Sequence, residues 1–183
     1  MRPILFYTVG YPGAGKTTLA RSLSQWLNTT YLRGDKIGFE LFPFPTYSLS
    51  ERQAVHAEMQ RRSSQSLLNG KHVLYDAATN TRAQREQLIA LARQHGAQAV
   101  GLWVEVPTRL AKQRAARVRD RGLAGPIARV IPPHIFDQYV AAFEVPSQNE
   151  YTIRINGDVS FFLQYRHLRR QLRMPELKLP QII

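Results

Sequence analysis

The feature that most constrains this chain is a glycine-rich segment near its beginning. Residues 10–17 read GYPGAGKT, which matches the pattern G-x-x-x-x-G-K-[ST], and they follow an unbroken apolar run, ILFYTV, at residues 4–9. Such a run is typical of a buried parallel strand, and the residues from Thr17 to Leu27 have the apolar spacing of a helix. A strand, a tight turn and a helix in this order hold phosphate groups on backbone N–H groups. The segment therefore predicts that the chain binds a nucleoside triphosphate.

Each residue type in this segment has a physical role in binding phosphate. Lys16 is expected to reach the outer phosphates, and the hydroxyl of Thr17 is expected to ligate magnesium. The helix dipole adds positive partial charge where the helix begins, and the glycines let the backbone turn tightly and approach the ligand. The nucleotide is expected to contact the whole loop and the first helical turn, that is, Gly10, Tyr11, Pro12, Gly13, Ala14, Gly15, Lys16, Thr17 and Thr18.

Strand-like and helix-like segments alternate along the rest of the chain. Strands are predicted at residues 4–9, 30–33, 72–75, 99–106 and 151–155, and helices at 17–27, 50–68, 82–94, 107–118, 133–143 and 160–173, with Ser50 capping the second helix. The stretch GFELFPFPTY after Asp35 is predicted to be a loop because it contains Pro43 and Pro45. The alternation predicts an α/β fold, a parallel sheet covered by helices on both faces. We expect one domain over residues 1–183, with a lid at about 117–131 and a basic helix and tail at 158–183.

Two aspartates follow predicted strands. Asp76 comes directly after the third strand and is expected to hold magnesium together with Thr17; the alternative is an aspartate that caps a turn. Asp35 follows the second strand, and the carboxyl ends of parallel strands meet at one edge of a sheet. There it could accept the proton of an attacking hydroxyl; the alternative is an ordinary turn aspartate.

Composition excludes several classes of protein. The 183 residues include no cysteine, which excludes disulfide frameworks, thiol nucleophiles and thiolate metal sites. The histidines have no metal-ligand spacing, and no G-x-S-x-G pattern of a serine hydrolase is present. No apolar run is long enough to span a membrane, and the start does not read as a secretory signal, so a cytoplasmic protein without a membrane partner is expected.

Positive charge dominates the chain and is concentrated in one segment. The formal net charge is +12, which favours polyanionic partners. Six cations fall within residues 109–121, just after the fourth predicted strand: Arg109, Lys112, Arg114, Arg117, Arg119 and Arg121. The segment is predicted to be a lid that brings arginine to the phosphates, and the alternative is a solvated helix face.

Taken together, these residues resemble the P-loop kinase-like proteins related to the kinase domain of polynucleotide 5′-hydroxyl kinases. The resemblance covers roughly residues 4–157 and is carried by the loop at residues 9–20, by Asp35, by residues 73–97 and 129–146, and by the QRAAR sequence that ends at Arg117. It implies a five-stranded parallel sheet of order 2-3-1-4-5. One departure is that two alanines, Ala77 and Ala78, separate Asp76 from Thr79, where the family usually has one residue.

The resemblance also implies roles for individual residues. Asp35 would be the general base, Lys16 and Thr17 would contact phosphate and magnesium, and Arg117 would bind phosphate from the lid, with Arg114 near the nucleotide. Asn80 and Arg85 would lie on the substrate side.

The expected reaction is transfer of the γ-phosphate of ATP, with Mg²⁺, to a hydroxyl acceptor. A nucleic-acid 5′ end is preferred because of the charge and because the aromatic residues after Asp35 (Phe39, Phe42, Phe44 and Tyr47) could stack on a base; these could also simply pack beneath a loop. A small phosphorylated acceptor, a nucleotide kinase, or an ATP-dependent switch acting on RNA or protein remain alternatives, and the oligomeric state is left open.

Overall fold

A computed structural model describes residues 2–27, 29–46, 48–117 and 130–172 of the chain. Its strands are β1 (Ile4–Val9), β2 (Thr29–Arg33), β3 (His72–Asp76), β4 (Gln98–Glu105) and β5 (Thr152–Asn156). Its helices are α1 (Lys16–Trp26), α2 (Gly34–Leu41), α3 (Leu49–Leu68), α4 (Arg82–Gln94), α5 (Thr108–Ala115), α6 (Pro133–Ala141) and α7 (Phe161–Leu172).

The five strands form one parallel sheet in the order β2-β3-β1-β4-β5, which confirms the predicted fold class and strand order. β1 lies in the middle, where Tyr7 is level with Tyr75 of β3 and with Gly101 of β4. All six residues of β1 are buried, because helices cover both faces of a parallel sheet. This arrangement brings the carboxyl ends of β1, β2 and β3 to one edge.

Successive side chains of β1 enter two different cores. Ile4 and Phe6 pack into a core with α1 and α7, which includes Leu19 and Leu168. Leu5 and Tyr7 point to the opposite face, where they pack into a core with α3 and α4. The period of two in a strand produces this division, and it fixes the loop after β1 between two packed layers.

The segment after Asp35 is the main difference from the sequence prediction. Residues 34–41 form α2 rather than a loop, and Ile37 of that helix is buried in the core with Met59 of α3. Pro43 and Pro45 both lie beyond the last helical residue, so they end the helix without disrupting it. Helix α3 is capped by Ser48 instead of Ser50, because the side chain of Ser48 accepts a hydrogen bond from the backbone N–H of Glu51.

Parts of two predicted elements lie outside the described residues. These are residues 118–129 of the predicted lid and residues 173–183 of the C-terminal tail. Helix α5 ends at Ala115, earlier than predicted. Within the described ranges, no helix has both the length and the hydropathy needed to cross a bilayer.

Candidate functional site

The loop between β1 and α1 is pressed closely against neighbouring backbone. Gly10 and Gly13 have positive φ angles of 135° and 79°. A Cβ on Gly10 would lie 2.4 Å from the carbonyl oxygen of Val104 in β4, and one on Gly13 would lie 2.2 Å from that of Ala111 in α5. Glycine is therefore required here for close packing as well as for backbone conformation.

The beginning of α1 offers backbone N–H groups to an anion. Gly15 is the N-cap of the helix and no side chain caps it, and no acidic residue lies in the first turn. The first N–H groups of a helix have no partner within the helix, and the helix dipole makes this end positive. The N–H of Ala14 is already bonded to the carbonyl of Tyr11, whereas the N–H groups at the start of α1 are placed to bind a phosphate.

Lys16 is folded back over the loop. Its Nζ donates hydrogen bonds to the carbonyl oxygens of Gly10 at 2.8 Å and Tyr11 at 2.9 Å. Burial lowers the pKa of Lys16 to about 8, and the negative charge of Asp76 opposes this shift. The partly buried ammonium group and the α1 amides thus form a cradle that suits the anionic tail of a nucleotide.

Thr17 and Asp76 meet at the end of β3. The Thr17 Oγ1 donates to the Oδ1 of Asp76 at 3.3 Å, as does Thr8 Oγ1 at the same distance, and the hydroxyl of Tyr31 donates to Oδ2 at 3.0 Å. Burial raises the pKa of Asp76, while the hydrogen bonds from Tyr31 and Thr17 act in the opposite direction. This role of Tyr31 is not apparent from the sequence, because nothing in the β2 sequence distinguishes it from a core aromatic residue.

The oxygen atoms of Thr17 and Asp76 fit a magnesium ion. A hydroxyl and a carboxylate are hard oxygen ligands, and Mg²⁺ commonly takes few protein ligands and completes its shell with phosphate oxygens and water. In the described part of the chain, no cluster of three or more metal-ligating His, Cys, Asp or Glu side chains is present. A metal held here would therefore depend on bound phosphate.

A cavity of about 420 Å³ opens on the α1 side of the loop. Arg114 lines it from α5, where its Nη1 donates to the carbonyl of Gly157 at 3.2 Å and its Nη2 to Asp158 at 2.5 Å. The other lining residues come from the loop, from α1 and from the start of α7: Gly13, Gly15, Lys16, Thr17, Thr18, Leu19, Ser22, Gly157, Val159, Phe161 and Gln164. The structure thus brings Arg114 and Thr18 to the loop. It adds Gly157, Val159, Phe161 and Gln164, for which no role at the site is apparent from the sequence.

Another cleft, of about 410 Å³ and here called the acceptor cleft, opens on the other side of Lys16 and Thr17, between the loop and helices α2, α3 and α6. Asp35 and Asp76 both line it. The Asp35 carboxylate accepts two hydrogen bonds from Arg33, at 3.0 Å from Nε and 2.5 Å from Nη2. Its side chain is 41% exposed, whereas the Arg33 side chain is buried. Arg33 therefore fixes the carboxylate at the rim of the cleft.

The aromatic residues after Asp35 divide into different environments. Phe39 and Phe42 are partly buried and line the acceptor cleft, and Tyr139 and Ile131 also line it. Phe44 is 93% exposed and is not part of the cleft. Tyr47 lies outside the described residues. Phe39 and Phe42 are thus the two members of this predicted group placed to contact a bound acceptor.

The expectation that Arg85 contacts a substrate is corrected by the structure. Its side chain is 0% exposed, and its Nε lies 2.5 Å from Glu150. Its Nη1 donates to the carbonyl of Asn80 at 3.1 Å, and the Asn80 Oδ1 accepts from the backbone N–H of Gly10 at 3.2 Å. Arg85 is therefore a structural residue that holds the turn after β3, whereas Asn80 both lines the acceptor cleft and anchors the phosphate loop.

The predicted cationic segment is only partly described. Lys112 forms an ion pair with Asp137 at 2.7 Å. Arg109 and Arg117 are exposed, and Arg117 is the last described residue before the gap. Arg119 and Arg121 lie outside the described residues, so the prediction of a phosphate-binding lid stays a prediction.

Solved structures with the same fold include several kinases. A sugar kinase from Janibacter sp. HTCC2649 is 13% identical over 96% of this chain and 96% of its own, with a TM-score of 0.68. The APS kinase CysC of Mycobacterium tuberculosis, in complex with AMPPNP and APS, is 16% identical over 94% of this chain and 99% of its own, with a TM-score of 0.63. A chain of the Pnkp1/Rnl/Hen1 RNA repair complex is 18% identical over 77% of this chain and 44% of that chain, with a TM-score of 0.65. At these identities the likeness establishes the fold.

The phosphate loop, both aspartates and all described lining residues of the acceptor cleft lie within the part of the chain that matches a known family. No curated protein is similar enough in sequence to count as a relative. Residues 5–146 match the AAA domain family AAA_33. Because this match spans well over half of the 183 residues, and because the neighbours in fold are P-loop kinases, the chain belongs to the AAA_33 family of AAA domains and has a P-loop kinase-like fold.

Proposed function

We propose that this protein is an ATP- and Mg²⁺-dependent phosphotransferase that moves the γ-phosphate to a hydroxyl acceptor. The observation that carries the proposal is that Asp35 lines the same cleft as Lys16, Thr17 and Asp76. A carboxylate beside a phosphate cradle is the arrangement that in-line transfer to a hydroxyl requires.

The phosphate side of the site is assigned to the loop and the first turn of α1. The N–H groups at the start of α1 and the ammonium group of Lys16 hold the triphosphate. Thr17 and Asp76 hold Mg²⁺, which supplies charge neutralisation to the phosphates when bound. Tyr31 and Thr8 fix the orientation of the Asp76 carboxylate by donating hydrogen bonds to it.

Asp35 is the proposed acceptor of the proton that the attacking hydroxyl loses. As the hydroxyl oxygen forms its bond to the γ-phosphorus, the bond from that phosphorus to the leaving ADP oxygen breaks, and the proton passes to the Asp35 carboxylate. The two hydrogen bonds from Arg33 hold the carboxylate in one orientation. Such fixed positioning is a major part of catalysis in phosphoryl transfer.

A nucleic-acid 5′ end is the proposed acceptor. Phe39 and Phe42 give the acceptor cleft a partly buried aromatic wall, and base-aromatic stacking stabilises single strands by about 1–3 kcal/mol per base. The net charge of +12 favours a polyanion. The likeness in fold to a chain of an RNA repair complex agrees with this choice, although the sugar and APS kinases have the same fold.

Transfer of label from γ-labelled ATP to a 5′-hydroxyl oligonucleotide tests the proposal. The wild-type protein is expected to label the oligonucleotide, and Asp35→Asn is expected to reduce the rate by about 10²-fold or more because the proton acceptor is lost. ATP affinity measured by calorimetry should stay within about twofold for Asp35→Asn, since this side chain lies on the acceptor side.

Asp137→Asn is the matched control. Asp137 is an exposed aspartate on α6 that pairs with Lys112 and does not line the cleft, so its removal should leave the transfer rate unchanged. Binding and hydrolysis of ATP without transfer to oligonucleotides, nucleosides or sugars would contradict the phosphotransferase assignment and favour a nucleotide-dependent switch.

A further inference from the structure

A second cavity adjoins the acceptor cleft. It measures about 390 Å³ and is lined by residues of α3 and α4 together with Tyr75 and Thr79; we call it the α3–α4 pocket. Arg52 and His56 of α3 line both this pocket and the acceptor cleft. The two cavities therefore meet at these two side chains, and an extended ligand that occupied both would pass them.

The α3–α4 pocket is rich in side-chain amides. Gln53 and Gln60 of α3 and Gln84 and Gln87 of α4 all line it, and no carboxylate is among its described lining residues. Gln60 Nε2 and Gln87 Oε1 are 3.5 Å apart across the two helices, which is a long hydrogen bond that a better partner can replace. Amides both donate and accept, so they can pair with the edges of nucleobases.

The pocket also has a flat, uncharged wall. The rings of His56 and Tyr75 are stacked, with their centroids 6.2 Å apart and their planes at 17°. The His56 Nδ1 and the Tyr75 hydroxyl are 2.8 Å apart. Burial, together with the charge of Arg52, lowers the pKa of His56, so the imidazole is neutral near pH 7. Tyr75 is fully buried and His56 is partly exposed, so a planar, uncharged ligand group would contact the pair from the His56 side.

Arg52 supplies the positive charge at the junction of the two cavities. Its side chain is exposed, and it lines both cavities. A guanidinium group binds phosphate through two parallel hydrogen bonds. The junction therefore suits a phosphodiester that connects a group in the acceptor cleft to a group in the α3–α4 pocket.

We propose that the α3–α4 pocket binds the base of the second nucleotide of a single-stranded acceptor, with the intervening phosphate on Arg52. The inference rests on the proposed function, because it extends the acceptor from the reacting 5′ nucleotide to its neighbour. If the pocket binds a second base, the preferred acceptor is a nucleic-acid chain of at least two nucleotides. Nucleosides and small phosphorylated metabolites would then be poorer acceptors.

Two ligands test the inference by equilibrium binding in calorimetry. One is a nucleoside 3′-monophosphate, which reaches only Arg52, and the other is the corresponding 5′-hydroxyl dinucleotide, which also places a base in the pocket. The dinucleotide is expected to bind about tenfold more tightly, in line with the stacking and pairing of one further base.

The double variant Gln60→Leu/Gln87→Leu removes two amides from the pocket. It should reduce the affinity for the dinucleotide to about that of the monophosphate and leave the monophosphate unaffected. Ala57→Trp fills the pocket instead of changing its polarity, and the same result is expected. The matched control is Gln65→Leu/Gln94→Leu, which changes two glutamines of the same helices outside the pocket and should leave both affinities unchanged.

Label transfer to the same two ligands separates this inference from the proposed function. Selective loss of dinucleotide binding without any transfer would support the pocket and contradict the phosphotransferase assignment. Transfer to both ligands with equal affinities, unchanged in Gln60→Leu/Gln87→Leu and in Ala57→Trp, would overturn the inference and leave the phosphotransferase assignment intact. Equal weakening of both ligands by the pocket variants would also overturn it.

Discussion

The Lys16 side chain binds carbonyl groups of the phosphate loop to which it belongs. Its Nζ has two neutral acceptors, Gly10 and Tyr11, and burial lowers its pKa to about 8. A partly buried ammonium group whose hydrogen-bond acceptors are neutral regains only part of the hydration free energy that it loses. An anion at the loop therefore improves the environment of this charge, which makes Lys16 a strong determinant of nucleotide affinity.

Replacement of Lys16 by alanine is expected to abolish detectable ATP binding. The substitution removes the cation that the triphosphate would contact, and thermal unfolding of the variant checks that the fold is kept. Calorimetric titration with ATP measures the effect. Lys71→Ala, at an exposed lysine before β3, is the control and should bind as the wild type does; equal affinity of Lys16→Ala would contradict the assignment of the loop.

His72 gives the fold a dependence on pH that is separate from the site. Its Nδ1 accepts a hydrogen bond from the backbone N–H of Ile4 at 3.0 Å, so the folded protein needs this nitrogen unprotonated. Burial lowers the pKa of His72 below its ordinary value of 6.5. Below about pH 6.5 the unfolded chain therefore binds the proton more readily than the folded chain, and the free energy of unfolding falls as the pH falls.

Urea unfolding at about pH 7.5 and about pH 5.5 measures this dependence. His72→Asn should lose less stability between the two values than the wild type, because asparagine offers an acceptor oxygen that does not titrate. His167→Asn, at an exposed histidine of α7, should behave as the wild type does. An identical loss in His72→Asn and wild type would show that His72 does not contribute to the pH dependence.

At the scale of secondary-structure elements, the phosphate loop depends on α5 as much as on β1 and α1. Gly13 lies so close to α5 that a Cβ would approach Ala111 O to 2.2 Å and Ala115 N to 2.8 Å. These are backbone atoms, which cannot move aside as a flexible side chain can. A shift of α5 would therefore move Gly13, and with it the phosphate loop.

Gly13→Ala and Gly96→Ala form a matched pair that isolates this packing. Both glycines have positive φ, 79° for Gly13 and 62° for Gly96, but a Cβ on Gly96 would meet nothing within 4 Å. Gly96→Ala should cost about 1–2 kcal/mol from the left-handed conformation alone. Gly13→Ala should cost more and should also weaken ATP binding. Equal losses in urea unfolding, with unchanged ATP affinity, would show that α5 does not constrain the loop.

The order of elements could be predicted from the sequence because apolar periodicity and glycine turns mark each strand and helix, and β1 and α4 match the predicted bounds. Helix α2 could not be predicted in this way. It has only eight residues, it ends before Pro43 and Pro45, and its single buried residue, Ile37, gives too weak an apolar periodicity. Asp35 and Asp76 could be placed at one sheet edge from the strand order. The pairing of Arg85 with Glu150 could not be predicted. The two residues are 65 apart in sequence, and the loop that carries Glu150 has no sequence pattern that indicates its course.

At the scale of the whole molecule, the net charge of +12 sets the expected behaviour toward polyanions. In the structure, exposed cations occur on α7 (Arg166 and Arg170) and at the end of α5 (Arg117). Contacts between such cations and nucleic-acid phosphates release counterions, so the affinity depends steeply on salt.

Raising the salt concentration from about 50 to about 200 mM should weaken binding of a 5′-hydroxyl single-stranded oligonucleotide by orders of magnitude if several phosphates are contacted. Fluorescence anisotropy of a labelled oligonucleotide measures the effect, with calorimetric ATP affinity at the same salt concentrations as the comparison. A flat response of the oligonucleotide would favour a small acceptor.

The tip of the phosphate loop touches the helices on both sides of residues 118–129. Gly13 abuts α5, while the ring of Tyr11 packs against Phe136 of α6 at 6.1 Å and against Phe143 at 5.0 Å. The N–H of Ile131 also bonds to the carbonyl of Ala115, which joins the two helices to each other. A ligand that displaces the loop by even a fraction of an ångström must therefore shift α5 and α6 together or break these contacts.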